Sequence, residues 1–211
     1  RRLRQTNKVL WIKAPDGSLI YGLSEAGARQ LVGLGIPAKS GNDQIRRVSL
    51  SYFHHRRIAN EISISALLQG YRVNGEREIS AGEWLGGKDG IEGKLPDVLV
   101  RDGKNLWWIE VERSRRNERD YSKLISWLKT MWPAGRKEDE PAALPDGHLL
   151  RQVVFVSNAA FVKRVQDDLT KAGWNEMMIT KRIFPIYSLY VSEEKFITLE
   201  LGVDAADPLD N

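Results

Sequence analysis

One stretch constrains this chain more than any other: Asp97-Val-Leu-Val-Arg101, then Asp102-Gly-Lys-Asn105, then Leu106-Trp-Trp-Ile-Glu-Val-Glu112. Two apolar, β-branched runs separated by a glycine-bearing polar tetrad predict an antiparallel hairpin. Side chains alternate along a strand, so Glu110 and Glu112 share one face while Ile109 and Val111 point into the core. Asp97 opens the first strand, close to where the second one ends. Carboxylates held side by side repel, and burying them unpaired is costly. A divalent cation relieves that cost, and three oxygen donors suit Mg²⁺ or Mn²⁺, which keep waters and hold phosphates. A metal-bound water attacking a phosphodiester is the matching chemistry. The plain alternative is a solvated hairpin whose acids pair with Arg113 or Arg115.

Composition limits the other options. The chain has no cysteine, which excludes thiolate catalysis, disulfides and cysteine-bound zinc, and fits a reducing cytoplasm. No apolar run is long enough to span a membrane and no signal peptide is evident. The first residue is Arg1, which suggests a fragment or a processed chain. The 211 residues carry a net charge of +4. Basic residues cluster at 1–4, at Arg46-Arg47, at His54-His55-Arg56-Arg57 and from Arg113 to Arg119, whereas the last twenty residues lean acidic. Basic clusters flanking an acidic motif point to a phosphate backbone as partner.

The pattern along the chain predicts a hairpin over 8–22 and a helix from Ser24 to about Val32, with residues 1–37 as a first segment. Residues 38–44 read as a linker, 45–202 as an α/β domain and 203–211 as an acidic tail. Within the domain we expect a long helix from Ile45 to about Gln69, short strands at Tyr71–Val73 and near Arg77–Ile79, and a glycine-rich loop. The central hairpin follows, then a helix at 118–131, a buried strand at Val153–Ser157, a helix at 161–171, and strands at 183–191 and Phe196–Leu201. This order predicts an α/β fold, a mixed central sheet flanked by helices. The first hairpin and its helix resemble the wing and next helix of a winged-helix domain; a hairpin simply packed on the main domain is the equal alternative.

Pro96-Asp97, twelve residues, then Glu110-Val111-Glu112 resembles the motif of the PD-(D/E)xK nuclease superfamily, with its restriction-endonuclease-like core. Glu112 stands where that motif has lysine. The resemblance implies that Asp97 and Glu110 hold Mg²⁺ or Mn²⁺, that Glu61 on the long helix assists, and that Lys123 in Tyr121-Ser-Lys-Leu124 supplies the displaced lysine. Glu112 would bind metal or act as a base. More narrowly, His55 through Asn60-Glu61, Leu95-Pro96-Asp97, Glu110-Val-Glu-Arg113 and the helix with Lys123-Leu124 look like replication-relaxation proteins and MobC-type plasmid relaxases. That likeness implies nicking of plasmid or mobile-element DNA at an origin, with accessory mobilisation or replication proteins as possible partners.

Around this core, Arg56, Arg57, Arg113, Arg115, Arg116, His54 and His55 are candidate DNA contacts, since guanidinium groups match phosphate oxygens. Each also reads as a solvated side chain, and Arg57 spaces with Glu61 for a helix salt bridge. Trp108 shares the Glu110 face and is placed to stack on a base, while Trp84 amid glycines either clamps DNA or covers the sheet. Tyr52 and Tyr121 are possible covalent nucleophiles, though packing suits both better. Two rivals stay open: a non-cleaving DNA-binding replication or partition protein on a decayed nuclease fold, and a protein-interaction module.

Overall fold

The computed structural model describes residues 2–14, 17–42, 45, 50–112 and 117–187, with side chains undescribed at 2 and 50–52. The strand at Phe196–Leu201, residues 188–191, the acidic tail and Arg113, Arg115 and Arg116 lie outside the described residues. Contacts divide the chain into two compact units, Arg1–Arg56 and Arg57–Asn211.

In the first unit, α1 (Arg2–Gln5) leads into a hairpin of β1 (Val9–Lys13) and β2 (Leu19–Leu23), followed by α2 (Glu25–Gly33). The hairpin pairs Val9 with Leu23, Trp11 with Tyr21 and Lys13 with Leu19. Ser24 caps α2 by accepting from Gly27 N, and its hydroxyl donates to Asn7 O. Gly27 lets the helix approach the start of β1, because a Cβ there would lie 2.1 Å from Lys8 O.

A helix, α3 (Leu50–Leu68), runs across the boundary between the units. The second unit continues with β3 (Arg72–Asn74), α4 (Glu76–Ala81), β4 (Val98–Asp102), β5 (Asn105–Glu112), α5 (Glu118–Met131), β6 (Ala142–Ala143), β7 (Leu149–Ser157), α6 (Ala159–Lys171), α7 (Glu176–Arg182) and β8 (Ile183–Ile186). The sheet runs β3-β4-β5-β7, with β6 and β8 sharing the far edge of β7. β5 pairs antiparallel with β4 but parallel with β7, so the sheet is mixed, as expected. All eight residues of β5 except Asn105 are buried, because helices cover both faces. The even face (Leu106, Trp108) packs with α5 and α6 through Leu124, Trp127, Leu128 and Val165. The odd face (Trp107, Ile109, Val111) packs with Ile58, Ile62 and Ala66 of α3.

Three expectations differ. Arg77–Ile79 is helical, because Gly75 in extended conformation receives the Glu78 carboxylate on its N–H and starts α4. The stretch between the helix at 161–171 and the strand at 183, for which no element is expected, holds α7, capped by Asn175. The buried strand starts four residues earlier, at Leu149; polar Arg151 and Gln152 interrupt the apolar run, and the register skips Arg151 while Gln152 pairs with Trp107. Among the described residues no helix is long and apolar enough to cross a membrane.

Candidate active site at the open end of the central hairpin

The β4–β5 register runs from Asp102↔Asn105 at the turn to Val98↔Ile109. Asp97 lies just before Val98, outside the paired residues. Asp97 latches this end of the hairpin: its N–H donates to Ile109 O at 3.1 Å, and its Oδ2 accepts from Val111 N at 2.7 Å. Glu110 lies on the α5 face, 2% exposed, and Oε1 accepts from Trp108 Nε1 at 2.6 Å. The two backbone partners of Asp97, Ile109 O and Val111 N, therefore flank Glu110 along β5.

Lys94, a residue that sequence reasoning missed, is paired with Glu110. Its Nζ sits 2.8 Å from Glu110 Oε1 and 5.9 Å from the rings of both Trp108 and Trp127. A tight turn delivers it. Ile91 and Lys94 exchange backbone hydrogen bonds at 3.0 and 3.1 Å, and the central residues Glu92 and Gly93 both have positive φ, the type I′ geometry. Trp127 Nε1 donates to Ile91 O at 2.9 Å and pins the turn to α5. At Gly90 (φ +78°) a Cβ would lie 2.3 Å from Lys94 O, so only glycine permits this packing. Without Lys94 the buried Glu110 carboxylate would face a desolvation penalty of several kcal/mol. The available signal was position, three residues before Asp97; but a lysine in a glycine-rich loop gives no periodicity that fixes where its side chain goes.

Glu112, also buried, ends β5 opposite Ser157 of β7, whose fully buried Oγ has no hydrogen-bond partner among the described residues. Glu61 is buried too, with Arg57 Nε 3.1 Å from Oε1 and Oε2 without a hydrogen-bond partner among the described residues. Its helix packs on the odd face of β5, whereas Glu110 points from the even face. Among the described residues no three carboxylate or imidazole side chains converge as a metal cage. The structure thus sets Asp97 against the β5 backbone on either side of Glu110, and packs the Glu61 helix on the other face of the strand.

Two assignments are corrected. Lys123 is 67% exposed, off the buried face of α5, and 3.8 Å from Asp120 rather than at the acids. The buried face is set by Tyr121, Leu124, Trp127, Leu128 and Met131, and position 123 falls outside that stripe. Trp108 is fully buried, 4.4 Å from the Trp127 ring and 6.0 Å from Trp84, so no base can stack on it. Trp84 itself covers the sheet.

Tyr121 is packed, as its better reading held. Its hydroxyl donates to Asp168 Oδ2 at 3.0 Å, and the Arg164 guanidinium lies 3.8 Å from its ring centre. Burial, then the Asp168 hydrogen bond, pushes its pKa far above the usual tyrosine range, opposite to what a nucleophile needs. The Tyr52 side chain lies outside the described residues. His54, His55 and Arg56 are partly exposed on α3, with His54 edge-on to Phe53 at 5.4 Å. No family model, curated protein or solved structure matches the chain.

Proposed function

We propose that this chain is a metal-dependent DNA endonuclease or nicking protein of the PD-(D/E)xK type, with Lys94 supplying the lysine that position 112 lacks. The observation that carries this reading is the Lys94–Glu110 contact at 2.8 Å, on the strand whose Val111 N–H donates to Asp97. Acid, acid and lysine then stand together although the linear motif is incomplete. The order α3, β3, β4–β5, α5, β7 agrees with a restriction-endonuclease-like core.

The donor set fits Mg²⁺ or Mn²⁺ better than a cation needing an all-protein cage. Two carboxylates leave most of the coordination sphere to water and to phosphate oxygens, the usual arrangement for Mg²⁺. When bound, such an ion lowers the pKa of water and offsets phosphate charge. The chain's own groups do the rest. Asp97 is fixed by its bond to Val111 N. Lys94 orients the Glu110 carboxylate, and its ammonium is placed to offset charge on a phosphate drawn to the site. Arg113, Arg115 and Arg116 follow β5 directly in sequence and suit the DNA backbone. The narrower label, a mobilisation relaxase acting at an origin, rests on the short sequence motifs alone.

A second reading has its own observation. Glu110 is already paired with Lys94 and Trp108, and it is almost fully buried. A self-satisfied pair is what a non-cleaving DNA-binding descendant of the fold would retain. Supercoiled plasmid incubated with Mg²⁺ or with EDTA separates the two. The endonuclease reading predicts metal-dependent nicking that falls about 10²-fold or more in Lys94→Met and in Asp97→Ala. Nicking unchanged in both variants would sink it; no nicking by the wild type with intact DNA binding supports the second reading.

A further inference from the structure

The first unit exposes a surface that the proposed nuclease chemistry does not use. Register puts Val9, Trp11, Lys13, Leu19, Tyr21 and Leu23 on one face of the β1–β2 hairpin. The opposite face is the packed one: at Gly22 a Cβ would touch the Ile45 side chain at 3.1 Å, and Ile45 is buried. Trp11 and Tyr21 stand directly opposite each other, yet they are 46% and 53% exposed, with Leu19 beside them at 43%. Directly opposed side chains on one face lie about 5 Å apart at Cβ, so the two rings form one continuous surface. The Arg4 guanidinium sits 4.4 Å from the Trp11 ring centre. Arg4 and Trp11 also line an open groove of about 570 Å³ with Gln5, Asn7, Val9 and Leu10.

Charge identifies the partner. Residues 1–56 carry ten lysines and arginines against three carboxylates, whereas residues 57–211 carry 22 against 25. The basic excess of the chain therefore lies entirely in the unit that exposes the rings. A second copy of so basic a surface would repel it, while a polyanion with flat apolar faces complements it. Bases in a duplex are stacked on one another and offer only their edges; unpaired bases offer their faces to aromatic rings and guanidinium planes.

We propose that the outer face of the β1–β2 hairpin, built on Trp11, Tyr21 and Arg4, is a stacking platform for single-stranded DNA. The choice of DNA over RNA rests on the function proposed above; the stacking surface does not. Bases lie against Tyr21 and the Arg4–Trp11 pair, and Lys13, with the other basic groups of this unit, meets the phosphates. Ser24, Gly27 and Asn7 hold the hairpin to α2, so the platform is rigid before it binds.

Fluorescence anisotropy of the full chain tests this, with a labelled oligothymidylate of about 15 nucleotides, in EDTA so that no metal contributes. The expected result is salt-dependent binding that weakens about tenfold or more in Trp11→Ala and again in Tyr21→Ala, with Trp11→Phe and Tyr21→Phe close to wild type. Duplex of equal length should lose much less. Melting curves establish that each variant is folded, and the phenylalanine variants keep the test valid if an alanine variant is not. Binding within about twofold of wild type in both alanine variants, equal losses on duplex, tighter binding of oligouridylate, or no binding by the wild type would each overturn the proposal. So would self-association abolished by Trp11→Ala in sedimentation. Failure of metal-dependent nicking leaves these EDTA measurements untouched, so the two readings fail separately.

Discussion

The two hairpins of this chain solve opposite problems. β1–β2 and β4–β5 are both antiparallel pairs with a glycine near the turn. The first keeps one face in solvent and places Trp11 and Tyr21 there. The second is covered on both faces and places Glu110 and Glu112 inside. Each therefore carries the residue types its surroundings disfavour: aromatics where water is, carboxylates where water is excluded. Polar burial must be compensated at the site, and Lys94 and Trp108 do so for Glu110. Apolar exposure has no such compensation within the described residues, and a ligand is the natural one.

Replacing one cation in each hairpin's surroundings sharpens this contrast most. Lys94→Met leaves Glu110 buried without its ion-pair partner and should cost about 3–5 kcal/mol in chemical denaturation. Lys13→Met on the exposed strand should stay within about 0.5 kcal/mol. Equal effects would break the comparison. Glycines give the next test. Gly90 and Gly35 have nearly the same positive φ, 78° and 77°, but only at Gly90 does an added Cβ meet backbone, at 2.3 Å. Gly90→Ala should lower stability by about 1–3 kcal/mol and disturb the Lys94 turn. Gly35→Ala should cost about 1 kcal/mol, the conformational strain alone. Then the tryptophans: Trp127→Phe removes the donor to Ile91 O and should cost about 1 kcal/mol, whereas Trp11→Phe should leave stability unchanged.

The smallest effect concerns pH. Lys171, and then the Tyr121 hydroxyl, hold the Asp168 carboxyl below the ordinary aspartate range. That contribution is present above the unfolded pKa and fades as pH falls through the folded one. Asp168→Asn should therefore be slightly less stable than wild type near neutrality, and the two melting temperatures should converge in acid. Tyr121, raised in the fold, should remain un-ionised in a 295 nm titration after exposed tyrosines have ionised.

The sequence made the strongly patterned elements readable and the compensating contacts unreadable. Residues 118–131 form a helix as expected, because Asn117 caps it and a wide apolar stripe follows. The central hairpin is within a residue of its expected bounds, because the turn and the alternation agree. Parity correctly put Trp108 on the Glu110 face, but parity says nothing about what covers that face. The loop at 82–96 does so, and it carries Lys94 as well. Its structure depends on positive-φ turns and on a hydrogen bond from Trp127, none of which leaves a period in the sequence. For Lys123 the family resemblance implies a lysine on the next helix; the helix stripe decides its direction instead. For Glu61 the resemblance implies an acid on the helix before the sheet, yet that helix covers the other face of β5.

Mn²⁺ titration by calorimetry tests the central claim most directly, using the wild type, Asp97→Asn and, as an exposed control, Lys123→Ala. If Asp97 and Glu110 form the metal centre, the wild type and Lys123→Ala bind one Mn²⁺ alike and Asp97→Asn loses that binding by about tenfold or more. Binding of equal strength in all three proteins, or no heat of binding in the wild type, would contradict it.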